Sequence, residues 1–246
     1  MYTTLNYSPN FDIKKRKPKE IKYIVFHYTG MKKERSSINR LTSYKSKVSS
    51  NYFIKKNGEI LTLVPDLYIS WHAGISYWKN YKSINKYSIG IEIHNPGHDF
   101  NYRKFTKKQI SSIVKLCKYL IKKYKIKSNF VLGHSDIAPD RKKDPGEKFP
   151  WHYLSKKKIG FWHNLGQKQL IDKRNQRINE TEKKTFLKNL ATIGYAKYYI
   201  NKNSKNLKFI TAAFQRRFRQ ALINGKIDRE CLEISENLLK NLSNFT

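Results

Sequence analysis

The chain has 246 residues, with 51 Lys and Arg against 18 Asp and Glu, for a net charge of +33. At 39% hydrophobic and 14% aromatic it can pack a core, which excludes wholesale disorder, while no stretch approaches the roughly 20 apolar residues of a membrane span. Only Cys117 and Cys231 occur, far apart, which excludes a disulfide scaffold and a cysteine-rich zinc site.

Taken in chain order, the first twenty residues hold no apolar run. No secretory signal is therefore expected, and the cytoplasm is the expected compartment unless export proceeds without one. Lys22 to Phe26 is a β-branched and aromatic run that ends on His27 and predicts a strand. Ser37 to Tyr44 reads as a short helix. Tyr52-Phe53-Ile54 and Ile60 to Val64 flank Lys56-Asn57-Gly58, and Asn-Gly between apolar runs predicts a hairpin. Ser88 to Ile93 alternates, with Ile89, Ile91 and Ile93 on one face and Glu92 on the other. Thr106 and Gln109 have the spacing of a capping box, and Ile110, Ile113, Val114, Cys117, Leu120 and Ile121 follow at helical spacing. Phe130-Val131-Leu132 is the next strand and delivers His134 at its end. Strands interleaved with helices predict an α/β fold, a central mixed β-sheet flanked by helices.

The texture changes after Trp162. Residues 1–163 read as one domain and 164–180, polar and aperiodic, as a linker. Residues 181–246 then read as a small C-terminal three-helix bundle: Thr181 to Thr192 stopping at Gly194, Leu207 to Gln220, and a last helix capped by Asp228. Its Arg216, Arg217 and Arg219 are candidates for holding an anionic ligand.

Seven histidines are present. His27 and His134 each end a hydrophobic strand, where side chains line the crevice of an α/β sheet. Asp144 follows His134 in a loop whose path Pro139, Pro145 and Gly146 constrain. Two imidazoles and a carboxylate suit a three-ligand zinc set with a fourth position for water, although dispersed sets of this kind also occur without a metal.

The segments SPNFDIKKRKPKEIKYIVFHYTGM, KVSSNYFIKKNGEI, SWHAGISYWKN, YSIGIEIHNPGHD and GHSDIAPDRKKDPG occur in this order. Together, from about Ser8 to Trp162, they resemble the zinc-dependent N-acetylmuramoyl-L-alanine amidase family, and within it the bacterial branch acting on anhydromuropeptides and envelope peptidoglycan. The segment LATIGY…AAFQRRFRQALINGKID is similar to the small peptidoglycan-binding module often fused to that branch. The resemblance implies one Zn²⁺ per chain on His27, His134 and Asp144. It also implies Glu92 as general base and Lys142 as the cation beside the developing oxyanion. Substrate contacts are implied for Asn51, Trp71, His72, Ala73 and Asn95, and for Ile137 and Ala138 of the GHSDIAP loop. The substrate would be peptidoglycan or an anhydromuropeptide.

One departure from the family pattern stands out: Asn51 lies where relatives often carry His. The third ligand is Asp144 rather than the Cys of phage and animal members, which agrees with the bacterial branch. Members that recognise without cleaving generally lack that ligand, so its presence argues for an active enzyme over the rival reading, a non-lytic peptidoglycan binder. A nucleic-acid partner is not expected: Lys outnumbers Arg, the cations are spread along the chain, and no recognition motif accompanies them. Oligomeric state cannot be read from the sequence.

Overall fold

The computed structural model describes residues 3–200 and 204–242. Among them are ten strands: β1 (Thr4–Leu5), β2 (Phe11–Asp12), β3 (Tyr23–Tyr28), β4 (Tyr52–Ile54), β5 (Ile60–Thr62), β6 (Ile69–Ser70), β7 (Tyr77–Trp78), β8 (Tyr81–Lys82), β9 (Ser88–Ile93) and β10 (Val131–Gly133). The helices are α1 (Glu34–Thr42), α2 (Lys107–Tyr124), α3 (His134–Ile137), α4 (Trp151–Ser155), α5 (Gln167–Lys173), α6 (Glu180–Ile193), α7 (Lys197–Ile200), α8 (Ser204–Phe218) and α9 (Arg229–Lys240). Six strands form one sheet in the order β1-β5-β4-β9-β3-β10. β4, β9, β3 and β10 run parallel, whereas β5 is antiparallel to β4 through the Asn-Gly hairpin. The sheet is therefore mixed.

Strand alternation sorts the two faces. Ile24 and Phe26 of β3 and Ile89, Ile91 and Ile93 of β9 close with Ile113, Leu116, Cys117 and Leu120 of α2 into one apolar cluster. Cys117 is core filler there. α2 begins where the sequence predicts: Thr106 Oγ1 accepts from Gln109 N at 3.1 Å and Gln109 Oε1 accepts from Thr106 N at 3.0 Å, which pairs two otherwise orphaned donors. The other face of the same strands carries Tyr23, Val25 and His27, and Gly90 and Glu92.

Tyr23, Val25, Leu132 and Ile137 share a single apolar cluster with Phe186, Leu190, Phe214, Phe218 and Leu238 of the C-terminal helices. Full burial of such a side chain contributes roughly 1.5–3 kcal/mol, so the helical unit draws its stability from the sheet as much as from itself. The fold differs from expectation in three places here. Residues 164–180 hold a helix, α5, with Leu170 in the shared core. Seven residues with one buried apolar position leave no readable period. α5 is followed by Arg174, which donates to both Glu230 carboxylate oxygens at 2.8 Å. A short α7 joins the expected helices, and the module's span to 246 runs past the described residues at 201–203 and 243–246. Arg217 and Arg219 are 1% and 3% exposed and pair with Asp136 and with Asp228 and Glu230. Neither presents charge to a wall polymer.

Candidate active site

His27 and Glu92 are register partners on β3 and β9, so two polar side chains stand side by side where the parallel strands end. β10 pairs on the far side of β3, with Gly133 opposite Phe26, which places His134 next to His27. Ser135 N donates to Asp144 O at 2.8 Å and folds the loop back, bringing Asp144 to the same point.

His27 Nδ1, His134 Nδ1 and an Asp144 oxygen then lie within 4.8 Å of one another, all buried. The separations are 2.9 Å between the imidazole nitrogens, and 3.1 and 3.0 Å from them to Asp144 Oδ2. The hydrogen-bond network assigns the tautomers. Ser88 Oγ donates to Ile84 O at 2.7 Å, so it accepts from His72 Nε2 at 3.1 Å. His72 Nδ1 then accepts from His27 Nε2 at 2.9 Å. His134 Nε2 donates to the Ala73 carbonyl at 3.0 Å. Both imidazoles are thus left with a bare Nδ1, and two lone pairs and a carboxylate face one point. Acceptors crowded this way repel one another unless a cation lies between them, and outer partners of this kind are what orient metal-binding histidines. The donor set fits a metal. Burial, then the neighbouring His134, lowers the His27 pKa to about 4, which keeps it a neutral ligand.

The triad opens on a cavity of about 490 Å³ lined also by Glu92, Lys142, Trp71, His72 and Arg40. Glu92 Oε2 is buried without a hydrogen-bond partner. Burial, reinforced by Asp144, raises its pKa to about 8, with Lys142 and Arg40 pulling the other way. A carboxyl poised there can take and return a proton near neutral pH. Lys142 supplies a cation on the same wall.

Five residues expected to contact substrate have other duties. Asn51 has no exposed surface: its Oδ1 accepts from Ser70 Oγ at 2.8 Å and Gly90 N at 3.0 Å, and its Nδ2 donates to Val64 O at 3.2 Å. Its side-chain polar atoms are used to tie the start of β4 to β6, to β9 and to the segment after β5. Asn95 is 3% exposed, holding Arg103 O at 2.8 Å and Gly97 N at 3.1 Å, which braces the 95–103 turn; Asp99 of that turn lines the cavity and Asn95 does not. Ala73, Ile137 and Ala138 are fully buried. Ala73 serves through its backbone: its carbonyl receives both His134 and Arg141 Nη2, and its N–H donates to Asn85 Oδ1 at 2.7 Å.

Trp71 does line the cavity, and so does His72, although the His72 ring nitrogens are spent on His27 and Ser88. Sequence reasoning missed Ser88, Arg141 and Gly90. Only Gly90 left a signal, a glycine inside a strand, which marks a close approach. A Cβ there would stand 2.5 Å from His72 Cγ.

Comparison with known proteins accords with this geometry. The family described as N-acetylmuramoyl-L-alanine amidase matches residues 17–147. The chain is 35% identical over 232 residues to the N-acetylmuramoyl-L-alanine amidase AmiD of Escherichia coli, covering 89% of this chain and 83% of that protein. It is 32% identical over 167 residues to the 1,6-anhydro-N-acetylmuramyl-L-alanine amidase AmpD of Haemophilus influenzae, covering 60% of this chain and 88% of that one. The solved AmiD complex with anhydro-N-acetylmuramic acid-L-Ala-D-γ-Glu-L-Lys superposes with a TM-score of 0.80 over 90% of both chains. AMPDH3 of Pseudomonas aeruginosa, 27% identical, superposes with a TM-score of 0.80 over 98% of this chain and 100% of that one. With a family match over more than half its length and a relative aligned over most of both chains, the protein belongs to the N-acetylmuramoyl-L-alanine amidase family.

Proposed function

We propose that the protein is a zinc-dependent hydrolase of the amide bond between N-acetylmuramic acid, or its 1,6-anhydro form, and L-alanine, acting in cell-wall turnover and recycling. The observation that carries this reading is the convergence of three buried acceptors on one point, with an unpartnered carboxyl oxygen in the same cavity. His27, His134 and Asp144 would hold one zinc ion per chain. When bound, zinc would polarise the scissile carbonyl and acidify the attacking water.

The chain's own residues do the rest. Glu92, whose Oε2 is free of hydrogen-bond partners in the cavity, receives the proton of the attacking water and passes it to the leaving nitrogen of alanine. Lys142 sets its ammonium group against the negative charge that grows on the carbonyl oxygen. His72 and Ala73 hold the two imidazoles in the tautomer that leaves Nδ1 free. Trp71, whose Nε1 is held by Asp12 Oδ1 at 2.7 Å, offers a fixed aromatic wall.

AmiD and AMPDH3 have been solved with anhydromuropeptides, and the similarity to both supports the same substrate class here. The test is mass spectrometry of products from an anhydromuropeptide and from intact sacculi, each with chelator and with zinc restored. Release of free stem peptide that stops on chelation is the expected result. Sacculi bound without peptide release would replace this reading with that of a non-lytic binder.

A further inference from the structure

The C-terminal helices contribute a buried cation to the loop that carries two of the three candidate ligands. Asp136 is two residues past His134 on α3. Its Oδ2 accepts from Gly133 N at 2.8 Å, closing the first turn of the helix that begins with His134. Two groups from the helical module hold the same carboxylate: Tyr195 Oη donates to Oδ1 at 2.8 Å, and Arg217 Nη1 pairs with Oδ2. Arg217 Nη2 reaches further and donates to Val131 O on β10 at 2.9 Å. One guanidinium therefore ties the strand before His134 to the helix turn that starts on it.

Asp136, Tyr195 and Arg217 are all buried, each residue 1% exposed. The guanidinium lies 4.4 Å from the Trp151 ring centroid and 5.1 and 5.0 Å from those of Phe161 and Phe218. These rings come from both parts of the molecule, so the cation is wedged rather than tethered. The corner has no slack to take up a shift. A Cβ on Gly133 would meet Pro145 Cδ at 2.7 Å, and Pro145 follows Asp144. Movement of the Gly133–Asp136 turn thus displaces His134 directly and Asp144 through Pro145 and the Ser135–Asp144 backbone bond.

We propose that Arg217, with Tyr195, is a positioning residue for the metal site, and that the helical module serves catalysis by fixing the β10–α3 corner. The proposal rests on the metal reading of His27, His134 and Asp144. It needs no wall contact by the module. It also explains why a charge is buried where apolar packing would be more stabilising, since an ion pair of this kind fixes geometry at a cost in stability.

The test is zinc affinity by chelator competition on the full chain, with thermal melting alongside. Loss of an outer partner of a metal site typically weakens affinity 10- to 100-fold. Arg217→Met is expected to weaken zinc about tenfold, Arg217→Lys by less, and Tyr195→Phe a few-fold. Zinc should also raise the melting temperature of the variants less than that of the wild type. An Arg217→Met protein that melts lower yet binds zinc as tightly as wild type would overturn the proposal and leave Arg217 a structural weld. If that variant does not fold, Tyr195→Phe, which loses one hydroxyl and keeps its ring, decides alone: unchanged affinity overturns the proposal. Wild-type stoichiometry separates the two ideas, because a wild-type chain that binds no zinc defeats the metal reading itself.

Discussion

On one face of the central sheet, Ile24, Phe26, Ile89, Ile91 and Ile93 pack against α2 with no exposed surface. On the other, one residue over along the same strands, His27 and Glu92 meet His72, His134 and Asp144, with acceptor facing acceptor and one carboxyl oxygen unpartnered. The first face holds the strands in register. The second is set by that register into an arrangement that no isolated segment would adopt. Stability and function are thus separated by the alternation of a strand, and substitutions on the two faces should report on different quantities.

The largest effect is expected at Glu92. Removing a positioned general base lowers turnover by about a hundred- to ten-thousandfold, so Glu92→Gln should lose about a thousandfold in kcat while keeping one zinc per chain by elemental analysis. Asp144→Asn should instead lose metal, with zinc affinity by chelator competition falling by more than about 100-fold, beyond the cost of an outer partner. On the apolar face, Ile91→Ala should cost about 2–5 kcal/mol by denaturant unfolding and leave the zinc affinity of the folded protein unchanged. A large change in affinity there would erase the distinction between the faces.

A smaller effect tests the outer relay. Gly90→Ala, whose Cβ would collide with the His72 ring, and His72→Ala should each weaken zinc about tenfold. Agreement between them would show that the glycine is there for the histidine.

The smallest effect is a pH dependence of stability. Folding raises the Glu92 pKa from 4.5 to about 8 through burial and then Asp144. Between those values the folded metal-free protein holds a proton that the unfolded chain has released, so stability falls as pH climbs through the window. Gln carries no such cost. Chelator-treated Glu92→Gln should melt with wild type near pH 4 and above it at pH 8, with the gap opening as pH rises. Coincident melting curves across that range would show that Glu92 pays no burial penalty.

What could be read from the sequence follows from range. The alternation of Ser88 to Ile93, the Thr106–Gln109 capping box and the Asn-Gly hairpin are local signals, and each element forms where its signal lies. The amidase resemblance brought His27, His134 and Asp144 together from segments up to 117 residues apart. Asn51 and Asn95 look like groove residues in sequence because groove and strut asparagines are chemically the same. What makes them struts is the set of backbone groups that the fold leaves beside them. Arg217 read as a candidate for holding an anionic ligand, since its partner Asp136 is 81 residues away and no period or spacing links the two.

The central claim is that a cation belongs among His27, His134 and Asp144. Calorimetric titration of metal-free protein with zinc at pH 7 tests it most directly. The account predicts a single tight site per chain, abolished by His134→Ala and retained by Glu92→Gln. Weak multiple binding that survives the loss of His134 would contradict it.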